Sequence, residues 1–186
     1  MNISLIYEAK RFALKAHEGL FRKNAAKEPY STHITEVAML VETSGGTDLE
    51  IAAAWLHDVV EDTDITLDQI RAKFGDAVAD IVDGLTDPPD FKGRPIFERK
   101  TLQAERVVTK SDSVKRVKIA DQISNTQSVA FDPPVEWDVE KCVRYVEGAR
   151  RIVEQCDGVS IFLEDKFYVA YHASVKRWGT FASWIT

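Results

Sequence analysis

Along most of the chain apolar residues return every three or four positions, the spacing that gathers them on one side of an α-helix. Ile3, Ile6, Tyr7, Phe12 and Leu14 mark such a stripe in the first segment, and Leu49, Ala52, Ala53, Leu56 and Val60 mark another. Thr47 with Glu50, and Thr66 with Gln69, have the capping-box pattern. In it a side-chain oxygen takes an unpaired helix N–H and a Glu or Gln three residues on returns the bond. Turn chemistry at Gly45-Gly46, Asp87 to Pro95, Phe131 to Pro134 and Asp157-Gly158 supplies the breaks. The spacing predicts helices over 2–18, 34–44, 48–62, 66–73, 76–85, 96–109, 112–129, 136–155 and 159–177. No segment alternates strongly enough to build a sheet, so the expected fold is all-α, a compact multi-helix arrangement without internal repeats.

Composition narrows the function. At 186 residues, 45% of them hydrophobic, the chain can bury a core without disulfides or structural metal, and residues 1–186 are expected to form a single domain. A net charge of −6 argues against general binding to nucleic acid or to an anionic membrane surface, both of which reward a continuous basic face. A small anionic ligand needs only a local basic pocket. Cys142 and Cys156 lack metal-type spacing and are expected as reduced thiols. Glu8, Lys10, Arg11 and Lys15 interrupt the N-terminal segment, which therefore lacks the apolar centre of a signal peptide. No stretch approaches the ~18 apolar residues of a membrane helix, so the expectation is a cytoplasmic protein.

The chemistry gathers at one helix end. His57-Asp58 is followed by Glu61-Asp62. At 3.6 residues per turn His57 and Glu61 share one face and Asp58 and Asp62 the next, so all four can face one cavity. Such crowding of acids disfavours folding unless a cation sits among them. A His-Asp pair alone is more often a cap or a surface pair, but further candidates lie elsewhere in the chain: His33 heads a helix after a basic loop, and Asp121 follows Ile119-Ala120 inside an apolar run. Two imidazoles and two carboxylates suit Mn, Fe, Co, Ni or Zn alike. Four protein donors leave positions open for water and a phosphate oxygen, which marks a catalytic rather than a closed structural site. Glu61 and Asp62, one turn on, are placed to orient that water or to move protons. The loop from Gly19 to Tyr30, with Arg22, Lys23 and Lys27, could hold phosphate.

The segments YSTHITEVAML, IAAAWLHDVVEDTDIT, FGDAVADIVDGLTD and VKIADQISN closely resemble, in order and spacing, the hydrolase domain of RelA/SpoT-type alarmone enzymes. The likeness runs from about Ala9 to Tyr145 and is strongest to the stand-alone small alarmone hydrolases of the metazoan SpoT-homologue kind. It implies an all-helical HD-domain fold, a manganese ion, and hydrolysis of the 3′-diphosphate of (p)ppGpp to GDP or GTP plus pyrophosphate. Carried over to this chain, His33, His57, Asp58 and Asp121 fall on metal ligands, and Glu61 and Asp62 on the pair that activates the attacking water. Asn125 falls on a contact to the nucleotide sugar, Arg22 on a group that packs on the base, and Lys23 on one that helps hold the nucleotide. Tyr30, Ser128, Lys141 and Tyr145 fall on pocket-lining or phosphate-contacting positions. The chain departs from the family pattern at His33-Ile34 (commonly His-Pro), at Ser124-Asn125 (often His-Asn) and at Thr126-Gln127 (usually Met-Arg). Those departures bear on base and ribose recognition. They leave as rivals another nucleotide substrate, such as an adenine alarmone or NADPH, and a catalytically idle nucleotide-binding module.

Other residues have plainer readings. His17 is expected to pack or cap, and His172 to be inert. Trp55 and Trp137 read as core aromatics, while Trp178 and Trp184 could cover an apolar surface or support a homodimer. Lys115, Arg116 and Lys118 read as a solvated helix face, and Arg99 and Lys100 similarly, although the family resemblance implies a helix bordering the pocket there, where either could meet the distal phosphates.

Overall fold

The computed structural model describes residues 2–180. Among them are ten α-helices and no strand. The first half holds α1 (Ile3–Ala16), α2 (Ser31–Thr43), α3 (Asp48–Leu56), α4 (Val59–Asp62), α5 (Leu67–Phe74) and α6 (Asp76–Leu85). A single 3-10 turn over Pro89–Phe91 leads to α7 (Ile96–Val107), α8 (Asp112–Phe131), α9 (Val139–Glu154) and α10 (Ile161–Trp178). Two isolated bridges, Phe21 with Pro29 and Asn24 with Pro134, are the β pairings among these residues.

The core follows from two helices that are buried over most of their length. In α3 the run Ile51-Ala52-Ala53-Ala54-Trp55-Leu56 is buried throughout, as expected of a helix apolar on every side. In α8 burial extends from Val114 to Ala130 and takes in the polar residues Asp121, Gln122, Ser124 and Thr126. Helix α8 is the hub, packed against α2, α3, α6, α9 and α10. Both predicted capping boxes are formed, Thr47 with Glu50 at the start of α3 and Thr66 with Gln69 at the start of α5. The stripes need correction at their outer members. Ile3, Tyr7 and Leu49 are exposed, and the buried residues of α1 are Ala9 and Ala13, flanked by the partly buried Leu5, Ile6, Phe12 and Leu14 packed on the core.

Two departures from the predicted helices concern function. Helix α2 begins at Ser31, not at 34, because Thr32 N–H and its hydroxyl both donate to the Pro29 carbonyl, 3.0 and 2.9 Å away, and close a turn ahead of His33. The helix predicted over 48–62 is broken between Leu56 and Val59. His57 Nδ1 lies 2.8 Å from the Ala54 carbonyl, the acceptor that an unbroken helix would offer to the Asp58 N–H. The side chain thus competes with the backbone ladder, and the break turns His57, Asp58, Glu61 and Asp62 toward one side.

Helix α9 holds α7, and with it one wall of the site, through Gly148. A Cβ there would lie 2.5 Å from Lys100 Cβ and 2.8 Å from its Cγ, near the stiff base of the side chain. Gly148→Ala is therefore expected to destabilise the protein by about 1–3 kcal/mol through overpacking, although alanine is the better helix former. Urea unfolding of the two proteins measures it, and equal midpoints would show that α7 and α9 have slack.

Candidate active site

Four donor atoms from three separated parts of the chain meet at the inner end of a cavity of about 330 Å³. His33 comes from the first turn of α2, His57 and Asp58 from the break after α3, and Asp121 from the middle of α8. His57 Nε2 lies 3.0 Å from Asp58 Oδ2 and 3.9 Å from Asp121 Oδ1. His33 Nε2 lies 3.2 Å from His57 Nε2, 3.3 Å from Asp58 Oδ2 and 3.5 Å from Asp121 Oδ1. An ion about 2.1 Å from each donor sets neighbouring donors about 3.0 Å apart at a right angle and about 3.4 Å apart at the tetrahedral angle. The observed separations bracket those values: His33, His57 and Asp58 form a group whose donors can share one divalent ion, with Asp121 Oδ1 beside both imidazoles.

The charges at the cluster agree with that fit. Burial opposes a charged imidazole at His57, but Asp58, then Asp121 and the Ala54 carbonyl, outweigh it and raise its pKa to about 9. Burial likewise opposes ionisation of Asp58, yet the two histidines hold its carboxyl well below the usual range. Asp121 is lowered against its burial by Lys118 first and then His57. The acids thus attract positive charge to the point where the donors meet. Hydrogen bonds fix their directions: the Tyr30 hydroxyl donates to Asp58 Oδ2 at 2.6 Å, and Asn125 Nδ2 and Gln122 Nε2 donate to the two Asp121 oxygens at 2.6 and 2.7 Å.

Glu61 and Asp62 stand at the cavity wall beside Asp58. Glu61 Oε1 accepts the Asp87 N–H at 2.5 Å, which fastens it to the loop after α6. Glu61 is exposed as a residue, but desolvation of its carboxyl at the cavity wall and the Asp58 charge push its pKa up to about 7, so Glu61 can take or hold a proton near neutrality. Asp62 is raised for the same reasons, burial and Asp58.

Arg22, Lys23, Tyr30, Asn125, Ser128 and Tyr145 all line the cavity. Arg22 reaches Asn125 Oδ1 at 3.2 Å, and the chain carrying Arg22 and Lys23 is held to the α8–α9 loop by the bond from Val135 N–H to the Lys23 carbonyl. Lys141 is placed differently. It lines an adjoining cavity of about 480 Å³ with Arg94, Arg99 and Arg144, its ammonium 5.3 Å from the Trp137 ring.

Sequence reasoning missed part of the wall. Lys118 is not on a solvated face: it lies in the cavity with its ammonium 3.4 Å from Asp121 Oδ2, and Asp121, Asp87 and Glu61 raise its pKa against burial. Arg116 pairs with buried Glu50 at 3.5 Å. The available signal was position, since Lys118 precedes Asp121 by one helical turn. Lys100 is buried, donates to Gln122 Oε1 at 2.6 Å and sits 4.2 Å from the Tyr145 ring; burial drives its pKa down to about 7. His17 packs as expected, stacked on Tyr30 with Nδ1 on the Ala13 carbonyl. Trp55 is buried in the core. Trp137 is half-buried and lines the cavity, and Trp178 donates to the Val129 carbonyl. Trp184 lies outside the described residues.

An all-helical bundle with a His/His-Asp/Asp cluster at a helix break defines the class, and the chain belongs to the HD-domain family, whose model matches residues 9–146. It is 37% identical to the guanosine-3′,5′-bis(diphosphate) 3′-pyrophosphohydrolase MESH1 of Xenopus tropicalis over 88% of this chain and 90% of that one. The identically named protein of Homo sapiens is 36% identical over 86% and 89%. A solved structure described as a metazoan ortholog of SpoT that hydrolyzes ppGpp and plays a role in starvation responses superposes with a TM-score of 0.85. It is 28% identical, over 92% of this chain and 96% of that one.

Glu61 gives a signed pH dependence. A carboxyl at 4.5 when unfolded and about 7 when folded costs nothing below the first value, where both states are protonated. The cost grows as pH rises between the two values and is complete above the second. In the metal-free protein Glu61→Gln should therefore raise stability at pH 8 and change it little at pH 4.5, as read by urea midpoints. An equal effect at both pH values would contradict the raised carboxyl.

Proposed function

We propose that this chain is a manganese-dependent phosphohydrolase that removes the 3′-diphosphate of guanosine alarmones, converting (p)ppGpp to GDP or GTP plus pyrophosphate. The observation that carries this is the convergence of His33, His57, Asp58 and Asp121 beside Glu61 and Asp62 in a basic-walled cavity. It occurs in a chain that matches named ppGpp hydrolases along nearly their whole length. On this reading residues 1–186 act as one functional unit in the cytoplasm, as a monomer or a homodimer. Among the described residues no helix is long and apolar enough to cross a membrane, and Cys142 and Cys156 are free and buried.

His33, His57, Asp58 and Asp121 would hold the ion, which when bound acidifies water and polarises a phosphoryl oxygen. The remaining steps belong to the chain. Arg22 donates to Asn125 in the cavity wall, where a guanidinium can stack on a purine while its charge faces phosphate, and Asn125 would offer its amide to the ribose. Lys118, which keeps its charge, lines the cavity together with Arg22, Lys23 and Lys100, so a diphosphate would enter among cations. Lys141, with Arg99 and Arg144 in the adjoining cavity, would take the phosphates farther from the ion. Glu61, with a carboxyl balanced near neutrality, accepts the proton of the attacking water. Asp62, held protonated more readily than an ordinary aspartate, returns one to the ribose 3′-oxygen as the P–O bond breaks. Water adds to phosphorus, the 3′-oxygen leaves, and the products are pyrophosphate and a 3′-hydroxyl nucleotide.

Asp121→Ala should lower manganese-dependent release of pyrophosphate from ppGpp by a hundredfold or more, to order of magnitude, while helical circular dichroism is kept. Chromatographic product analysis with and without Mn²⁺ reads the result. Full activity of the variant would remove Asp121 from the site. If folded, metal-binding wild-type protein forms no GDP, the substrate assignment is wrong, and pppApp and NADPH are the next substrates to assay.

A further inference from the structure

Behind His33, on the side away from the ion site, lies a polar chain that the reaction as described does not use. His33 Nδ1 is 2.9 Å from Ser124 Oγ, and the Ser124 hydroxyl donates to Glu36 Oε2 at 2.6 Å. His33 and Ser124 are each 1% exposed, and Glu36 is half-buried. A serine hydroxyl has one proton. With that proton given to Glu36, Ser124 can only accept from the imidazole, so Nδ1 of His33 carries a hydrogen, and a bound ion that displaces any proton from Nε2 meets a lone pair there. Nε2 is the atom that faces His57, Asp58 and Asp121.

We infer that Ser124 and Glu36 are positioning residues that fix the tautomer and ring angle of His33 for metal binding. The inference rests on the metal site of the proposed function. Two helices supply the device. Glu36 follows His33 by three residues on α2 and so shares its face. Ser124 follows Asp121 by three on α8, so the helix that contributes one donor also orients another. His57 has the corresponding support from its own backbone, the Ala54 carbonyl, whereas no backbone carbonyl is recorded at His33 Nδ1, which makes the side-chain pair its support. Without Glu36 the Ser124 hydroxyl is free to turn and donate to Nδ1, which moves the imidazole hydrogen to Nε2 and blocks the donor. Partners of this kind commonly change metal affinity by about 10- to 100-fold.

The test measures Mn²⁺ affinity by calorimetry on metal-stripped wild-type, Ser124→Ala, Glu36→Ala and Ser124→Thr proteins. Alongside it, the tautomer of His33 is read from the imidazole nitrogen resonances of the metal-free proteins; the chain has four histidines, so assignment is tractable. Ser124→Ala and Glu36→Ala should each weaken Mn²⁺ binding at least tenfold with the metal-free melting temperature held. Both should shift His33 away from the Nδ1–H form, and Ser124→Thr, which keeps the hydroxyl, should restore both properties. Wild-type affinity in Ser124→Ala or Glu36→Ala, or an unchanged His33 tautomer in both, overturns the inference. If Ser124→Ala does not fold, Glu36→Ala decides alone, since its site is half-open. If folded wild-type protein binds no Mn²⁺, the metal reading fails, and the His33 tautomer in the variants still decides whether Ser124 and Glu36 set it.

Discussion

Two carboxylates and two imidazoles, with each imidazole 3.0–3.9 Å from both acids and 3.2 Å from the other, would repel or neutralise each other in a buried place without a compensating charge. Much of the surrounding architecture is an answer to that strain. Donors converge on Asp58 and Asp121 from Tyr30, Asn125, Gln122 and Lys118, so each acid keeps its ionised form at a cost shared among several elements. His57 takes a proton readily because the acids face it. A divalent ion would satisfy the same demand more fully, since it would offer two charges to these donors and displace the proton.

The same constraint explains why the fold places polar residues in the middle of its most buried helix. Helix α8 packs against five others, and a site built there moves little with the surface. Asp121, Gln122, Ser124 and Asn125 occupy successive directions around one turn of it. Gln122 hands the field of Asp121 on to Lys100, and Lys100 is held in place by Tyr145 and by the close approach of Gly148. A wall cation of the pocket is therefore set by helix packing, which allows little choice of rotamer.

How far the sequence reveals this depends on whether a feature is local. The helices of the hub were visible because their apolar spacing is strong, and both capping boxes were visible because the whole device fits in four residues. The break at His57-Asp58 was not, because it arises when an imidazole competes with its own backbone for the Ala54 carbonyl, and apolar spacing carries no trace of that. The exposure of Ile3, Tyr7 and Leu49 was hidden for a related reason: periodicity shows a face, while its width depends on what packs there. Lys118 read as solvated because three basic residues in four look like a surface, yet α8 turns them to three different surroundings. Arg116 meets Glu50, Lys118 meets Asp121, and Lys115 is half-buried.

The three departures from the family pattern can now be weighed one by one. Ile34 is fully buried among the core residues of α2, so it trades a helix-starting proline for apolar packing without touching the cavity. Thr126 is buried too, and Gln127 and Thr126 are absent from the cavity wall, so that change acts on packing of α8 with its neighbours. Ser124 alone touches the reactive cluster, and it does so from behind, through His33. On the proposed reading, base and ribose would meet a wall made of Arg22, Lys23 and Asn125, which keep the family's residue types, while the altered position acts on His33. A change in this chain's behaviour relative to its relatives should accordingly show first in metal dependence rather than in the choice of nucleotide.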